Sequence, residues 1–325
     1  MTNPISVIVQ RDLQAAFRDR FLLIATLALT VAAVVSLVTG AIALHGDVAT
    51  YDAARAQLLA LGKSVDAIAA PEFYPLKLLR GTIEQIEIMG AVIALVAGYR
   101  AAASERGNQT LALVFTRPIR RWQILVAKVL GGVVLSALSL AAVFGIATLV
   151  LAALSGVGLT FDDVTRIIFT WGTSTLYVAS IFVIGFALSL WMKSVIRGLI
   201  AAFAIWMSIV LVAPQIGDTM DPDNQVAGGV FAALSVPKAE QDRIKGGFAT
   251  YETIRNGIEV SSVTKHFERL SFAVLGIKDI YTGKPFADVL NEKRGDLIFL
   301  ILFTLGLGAI AVVRPVDSDK LIKET

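Results

Sequence analysis

The sequence predicts an all-α integral membrane protein: six transmembrane helices, an N-terminal interfacial amphipathic helix, and a large extracytoplasmic insertion between helices 5 and 6. Three observations predict it. The 325 residues are 56% hydrophobic and only 17% charged, whereas a soluble domain is usually under half apolar and about a quarter charged. Six apolar runs are long enough to cross a hydrocarbon core of ~30 Å, which takes ~20 residues at 1.5 Å each. They lie at about Phe21 to Leu44, Thr82 to Ala103, Ile124 to Leu154, Ile167 to Met192, Gly198 to Ile216 and Asp296 to Val313. Lys and Arg are concentrated in alternate short connections, which marks those as cytoplasmic. The net charge of +3 therefore reflects loop placement, and no nucleic-acid partner is expected. The chain has no cysteine, which excludes disulfides, thiolate metal sites and cysteine nucleophiles.

The implied organisation is 1–216 for the interfacial helix and the first five spans, 217–293 for the insertion, and 294–325 for the sixth span and tail. From Pro4 to Arg20, Ile5, Val9, Leu13, Ala16 and Phe17 share one helical face while Gln10, Arg11, Asp12, Gln14, Arg18 and Asp19 cover the rest. That pattern suits a helix lying in a membrane interface. The apolar run that follows is longer than the 7–15 residues of a signal h-region, so it is expected to stay as a first span with the N-terminus inside. His45 to Gly81 is the first outer connection, with a helical stretch at Tyr51 to Leu61. Its Gly62-Lys63-Ser64 ends like a P-loop, but Gln57 stands where the first glycine is needed, so no nucleotide site is expected.

The second span opens with Arg80, Glu84 and Glu87 three and four residues apart on one face. They fit either a surface ion pair or an acidic lining at the mouth of a pathway. The third and fourth spans exceed what a bilayer requires and should tilt or protrude. In the fourth, Thr170, Trp171, Gly172, Thr173, Ser174, Thr175 and Tyr177 form a polar cluster. Small hydroxylated residues let helices approach closely, so helix packing competes with lining a route for an amphipathic substrate. The insertion, Gly217 to Lys293, carries Asp218, Asp221 and Asp223 in a turn-rich stretch, an apolar patch at Val226 to Val236, an amphipathic helix near Thr250 to Leu270 and a second patch at Phe272 to Ile277. His45 and His266 are expected at the surface, and no metal ligands are expected.

Between the second and third spans, Ser104 to Lys128 holds five cations (Arg106, Arg117, Arg120, Arg121, Lys128) against the single Glu105. The residues Leu111, Leu113, Val114 and Phe115 suit a short surface helix that Pro118 stops. An acid, then Thr-Leu, then Arg-Pro-x-x-Arg, then Lys before a small-residue span resembles the loop between the first two helical hairpins of ABC-2 type transporter permeases. The matching residues are Glu105, Thr110, Leu111, Pro118, Arg121 and Lys128, while Gln109 and Ala127 replace glycines of the usual pattern. The pair Arg11-Asp12 and the run Arg18-Asp19-Arg20 resemble the start of many such permeases, with aspartate in place of glutamate. The first 150 residues are most similar to the six-span branch that serves nitrous oxide reductase maturation.

The resemblance implies a plasma (inner) membrane permease that is not itself an enzyme, exports its cargo, pairs with a second copy as a homodimer, and works with a separate ABC ATP-binding subunit. ATP and Mg would bind on that subunit, leaving this chain without a cofactor. Arg117, Arg120, Arg121 and Glu105 would contact it. Two other classes compete: a non-transporting membrane scaffold and an ion-coupled secondary transporter. Ion coupling needs ionisable groups at membrane depth, and the middles of the six runs lack them.

Overall fold

The computed structural model describes residues 4–61, 74–107, 120–155, 158–220 and 230–314. Among these the chain is helical and six helices are long and apolar enough to cross a membrane. Helix α1 is Pro4–Arg18 and α2 is Arg20–Ala60. Then come α3, Pro75–Arg106, and α4, Arg121–Ser155. Helix α5 is Phe161–Trp191 and α6 is Val195–Ile216. In the insertion lie α7 at Lys238–Gly247, α8 at Ala249–Val260, α9 at Val263–Val274 and α10 at Phe286–Glu292. The last span is α11, Arg294–Val313. The bundle has a loop end, where residues 18–20, 104–107, 120–121 and 192–195 lie, and an insertion end.

Helix α5 is the axis. Its N-terminus is set by a capping box, in which Thr160 accepts from the Asp163 amide and Asp163 accepts from the Thr160 amide. From Tyr177 to Ala187 every residue is buried, so a neighbour covers each face. The other spans turn large apolar side chains outward, among them Leu23, Ile24 and Leu27 on α2, Ile196 and Ile200 on α6, and Leu302 and Leu305 on α11. Such belts are far larger than a soluble surface carries, and hydrocarbon is the solvent that accepts them.

Glycines set how closely the others approach α5. A Cβ added at Gly98 of α3 would meet the Phe182 carbonyl and the Phe186 amide, and one added at Gly185 of α5 would meet the Leu95 carbonyl. The two backbones therefore touch, as small residues permit in membranes. On α4 the notch at Gly132 receives the Phe182 ring, and on α6 Gly198 abuts the backbone at Ser189. Hydrogen bonds add to these contacts. Trp171 Nε1 donates to Ala137 O at 3.0 Å and Thr304 Oγ1 to Leu176 O at 3.1 Å.

Two spans contain a π segment, Ile86–Gly90 in α3 and Met207–Val212 in α6. Widened turns disturb the i→i−4 ladder, and in both a neighbouring hydroxyl supplies a partner. Tyr177 Oη donates to Glu87 O at 2.8 Å, and Ser262 Oγ donates to Ile209 O at 2.6 Å.

Several expectations change. The stretch Tyr51 to Leu61 is no separate helix of a connection, since α2 runs unbroken through 41 residues and is ~60 Å long. The amphipathic stretch Thr250 to Leu270 is broken at Ser261 and Ser262 into α8 and α9. Tyr251 and Ile254 are exposed, whereas Phe267 and Leu270 are fully buried. The patch Phe272 to Ile277 is the end of α9 with its cap, where Gly276 takes φ 60° and Ile277 N donates to Phe272 O at 2.9 Å. Helix α9 shares the hydrophobic core of the bundle. Gly62-Lys63-Ser64, Asp221 and Asp223 lie outside the described residues.

The Gly98–Gly185 contact tolerates no added carbon. Gly98→Ala and Gly185→Ala are each expected to cost ~1–3 kcal/mol through forced separation of α3 and α5, read as a lower thermal midpoint in detergent. Gly145→Ala, where an added Cβ meets nothing within 4 Å, serves as the control.

Candidate functional site

At the loop end, the last turn of α3 and the first turns of α4 flank in sequence residues 108–119, which include Thr110, Leu111, Arg117, Pro118 and the expected short surface helix and lie outside the described residues. The two flanks are tied directly. Lys128 Nζ of α4 lies 2.6 Å from Glu105 Oε1 of α3 and 2.9 Å from Asp12 Oδ2 of α1. Arg11 Nη2 approaches Glu105 Oε1 at 3.3 Å from the exposed side. Two carboxylates and two cations thus form a neutral cluster, in which the Lys128 side chain is 6% exposed and that of Glu105 10%. Burial of single charges is costly, and here each is balanced by opposite neighbours at hydrogen-bond distance.

Two further ties close this end. Asp19 caps α2 by accepting from the Phe21 amide at 2.9 Å, and its other oxygen pairs with Arg100 Nη2 of α3. Arg106 Nη1 donates to Ser189 O at 3.0 Å and Met192 O at 2.9 Å, and its Nη2 donates to Lys193 O at 3.0 Å. A guanidinium there satisfies the open carbonyls of the α5 C-terminus and suits its dipole. Of the remaining loop residues, Arg120 is exposed, its amide donating to Gln123 Oε1 at 3.0 Å, and Arg121 begins α4.

The candidate pathway residues are placed differently. Glu84 pairs with Arg80 at 2.8 Å on a partly exposed face, and Glu87 is half-buried one turn further on. Thr170, Thr173, Ser174 and Tyr177 are all buried inside the chain. Thr170 Oγ1 donates to Arg166 O at 2.8 Å and Thr173 Oγ1 to Thr170 O at 3.0 Å, both on their own helix. Tyr177 stacks on Phe267 of α9 with centroids 4.6 Å apart. Their positions are those of close helix packing.

The insertion end has its own anchors, and sequence reasoning missed them. Arg166, 2% exposed, pairs with Asp162 and donates to Val274 O at 2.8 Å, at the C-terminus of α9. Tyr74 reaches Asp163, and burial foremost pushes its phenol pKa up, against the pull of nearby Arg166. His266, expected at the surface, is 7% exposed. Its Nδ1 lies 2.6 Å from Asp296 Oδ1, its Nε2 3.0 Å from Val260 O, and its ring stacks on Phe299. The reason is the break at Ser261–Ser262, which turns the α9 face inward. Among the described residues no group of three or more His, Asp or Glu side chains is placed to hold a metal ion.

A family model described as ABC-2 family transporter protein matches residues 6–314. The chain belongs to the ABC-2 transporter family. It is accordingly a multi-pass membrane protein and an ABC transporter permease, a membrane subunit whose family implies an ABC ATP-binding partner. No curated protein matches the permease. In this light Glu105 and Lys128 mark the base of the loop rather than its tip, and Asp12 joins α1 to that base. Arg100, which no motif had singled out, was legible as a lone cation near the end of an apolar run.

The buried cluster is expected to behave as a unit. Lys128→Met leaves Glu105 and Asp12 without their shared cation and should cost ~3 kcal/mol. Glu105→Gln with Lys128→Met together should cost less than the sum of the two single changes. Thermal midpoints of the four proteins measure this coupling, and additive losses would show that the ion pair is not formed.

Proposed function

We propose that this permease forms a homodimer in the plasma membrane and exports its cargo when a separate ABC ATPase docks on residues 108–119 and the flanking arginines. The observation that carries this reading is the clamp at the loop base. Lys128, Glu105 and Asp12 join α4, α3 and α1, and α3 in turn touches α5 backbone to backbone. A displacement applied to the segment between α3 and α4 is thereby passed to three helices at once and on to the axis of the bundle.

In this reading Arg117, Arg120 and Arg121 meet the ATPase, while Glu105 and Lys128 act through the clamp as positioning residues. ATP binds and is hydrolysed on the partner. Its closure moves the loops as rigid pieces, and coupling requires that the loop contact the partner differently in its nucleotide states. The hydroxyl cluster Thr170, Thr173 and Ser174 serves α5 packing in each protomer, so the cargo route runs between copies along other faces. Both termini and residues 108–119 are cytoplasmic, and the insertion is outside. Membership of the nitrous oxide reductase maturation branch, which the first 150 residues resemble, is part of this proposal and names no cargo.

Arg120→Glu, at an exposed position, is expected to leave folding within ~0.5 kcal/mol, and Arg120→Glu with Arg121→Glu is expected to weaken ATPase binding by ~2 kcal/mol or more. Co-purification with the ATPase and cargo-stimulated ATP hydrolysis read this out. Undiminished binding and stimulation would return the arginines to the role of orientation signal in a scaffold. For topology, the cysteine-free chain allows single substitutions at Arg120 and Lys245. An impermeant thiol reagent applied to intact cells should label Lys245→Cys and spare Arg120→Cys, and the reverse pattern would invert the orientation.

A further inference from the structure

A cavity of about 260 Å³ lies between α1, the first turns of α2, the second half of α3, and α4 and α5. Its walls are mostly apolar, with Leu22 and Leu29 from α2, Ile93 and Ala97 from α3, Leu135 from α4 and Phe182 from α5, and with hydroxyls at Thr26, Ser136 and Ser139. Small side chains open it, since Ala97 and Gly131 stand where larger residues would fill the space. A Cβ at Gly131 would come no nearer than 3.9 Å to Asp12, so glycine is not demanded there by close packing.

One end of the cavity is charged. Asp12 and Lys128 stand on one side, 2.9 Å apart, and Asp19 and Arg100 on the other, 2.5 Å apart. Lys128 also holds Glu105 at 2.6 Å, which Arg11 pairs in turn at 3.3 Å, so the carboxylates and cations of this end balance. Along α2 from Asp19 to Leu29, and along α3 from Arg100 to Gly90, the lined length is ~15 Å at 1.5 Å per residue. That is half of a ~30 Å hydrocarbon core, or the depth of one leaflet.

We infer that this cavity binds one acyl chain of a zwitterionic glycerophospholipid drawn from the leaflet at the loop end. The chain lies along Leu22, Ile93 and Leu135, and the head group rests at the charged end, its phosphate toward Arg100 and Lys128 and its ammonium toward Asp19 and Asp12. A purely anionic head group would satisfy the cations but face two carboxylates, and a like charge held close is unfavourable in a partly desolvated site. A water-soluble ligand would meet an apolar wall inside the membrane-spanning part of the bundle. The bound lipid would pack α1 against the spans, and it does so whether or not an ATPase docks on the neighbouring loop.

The test uses the full-length protein in nanodiscs of equal phosphatidylethanolamine and phosphatidylglycerol, released into mild detergent and examined by native mass spectrometry. One phosphatidylethanolamine per protomer should be retained about tenfold over phosphatidylglycerol. Ala97→Phe, which fills the apolar channel, should lower that retention about tenfold. Asp19→Asn keeps a helix-capping oxygen and removes one negative charge, so it should shift the ratio toward phosphatidylglycerol about fivefold. Retention by Ala97→Phe equal to the parent, an unchanged lipid ratio in Asp19→Asn, or preferential uptake of free palmitate would each overturn the assignment. Should Ala97→Phe fail to fold, the ratio measured on Asp19→Asn decides.

Discussion

Backbone contact between α3 and α5, made where Gly98 and Gly185 face the opposite chain, is the constraint on which the rest of the structure depends. In hydrocarbon there is no hydrophobic gain from bringing two apolar helices together, so association rests on dispersion and on how closely the backbones can approach. With α3 drawn in, α5 is enclosed by α4 through the Gly132 notch, by α6 at Gly198 and by α11 through Thr304. Helix α5, covered on every side from Tyr177 to Ala187, then fixes where the hydroxyl-rich face points. Thr170 and Thr173 satisfy themselves on their own helix, and Tyr177 is left free to reach the π segment of α3.

Charge is arranged at the two ends in ways that hold helices rather than expose them. At the loop end Lys128 gathers Glu105 and Asp12, Arg100 holds Asp19, and Arg106 closes the carbonyls of α5. At the insertion end Arg166 binds the Val274 carbonyl of α9 and the Lys284 carbonyl beyond it, and Asp296 holds His266. In both places a long cationic side chain is buried only because several acceptors surround its head. Ion clusters of this kind contribute little net stability but make a wrong arrangement costly, because each displaced partner leaves a charge unbalanced. That asymmetry holds the loop base together as one piece, with Arg120 exposed beyond the cluster.

Much was legible in the residues. Apolar length found all six candidate spans, since a hydrocarbon core fixes how many residues are required, but not their full extent: α2 continues past the expected Leu44 to Ala60, and α3 and α5 begin at Pro75 and Phe161, ahead of the expected Thr82 and Ile167. The motif from Glu105 to Lys128 pointed to the ABC-2 family, which the match over residues 6–314 establishes. Less legible was which polar residue meets which. Glu105 and Lys128 read as two parts of a loop, yet helical structure continues through both, which brings them to one point with Asp12. His266 read as a surface residue because it lies in the segment outside the six apolar runs, and the amphipathic stretch showed no sign of the break that separates α8 from α9.

What the sequence determined by itself is the solvent, the number of crossings and the family, because these follow from composition, apolar length and local motif. Only the tertiary structure decided that Thr170, Thr173 and Ser174 are interior, that Asp12 belongs to the loop base, and that a leaflet-deep cavity ends in balanced charge. Those depend on which face of each helix meets which neighbour. In a span that is apolar on every side, periodicity carries no such instruction, and the choice falls to the positions of glycines and of paired charges drawn from distant parts of the chain.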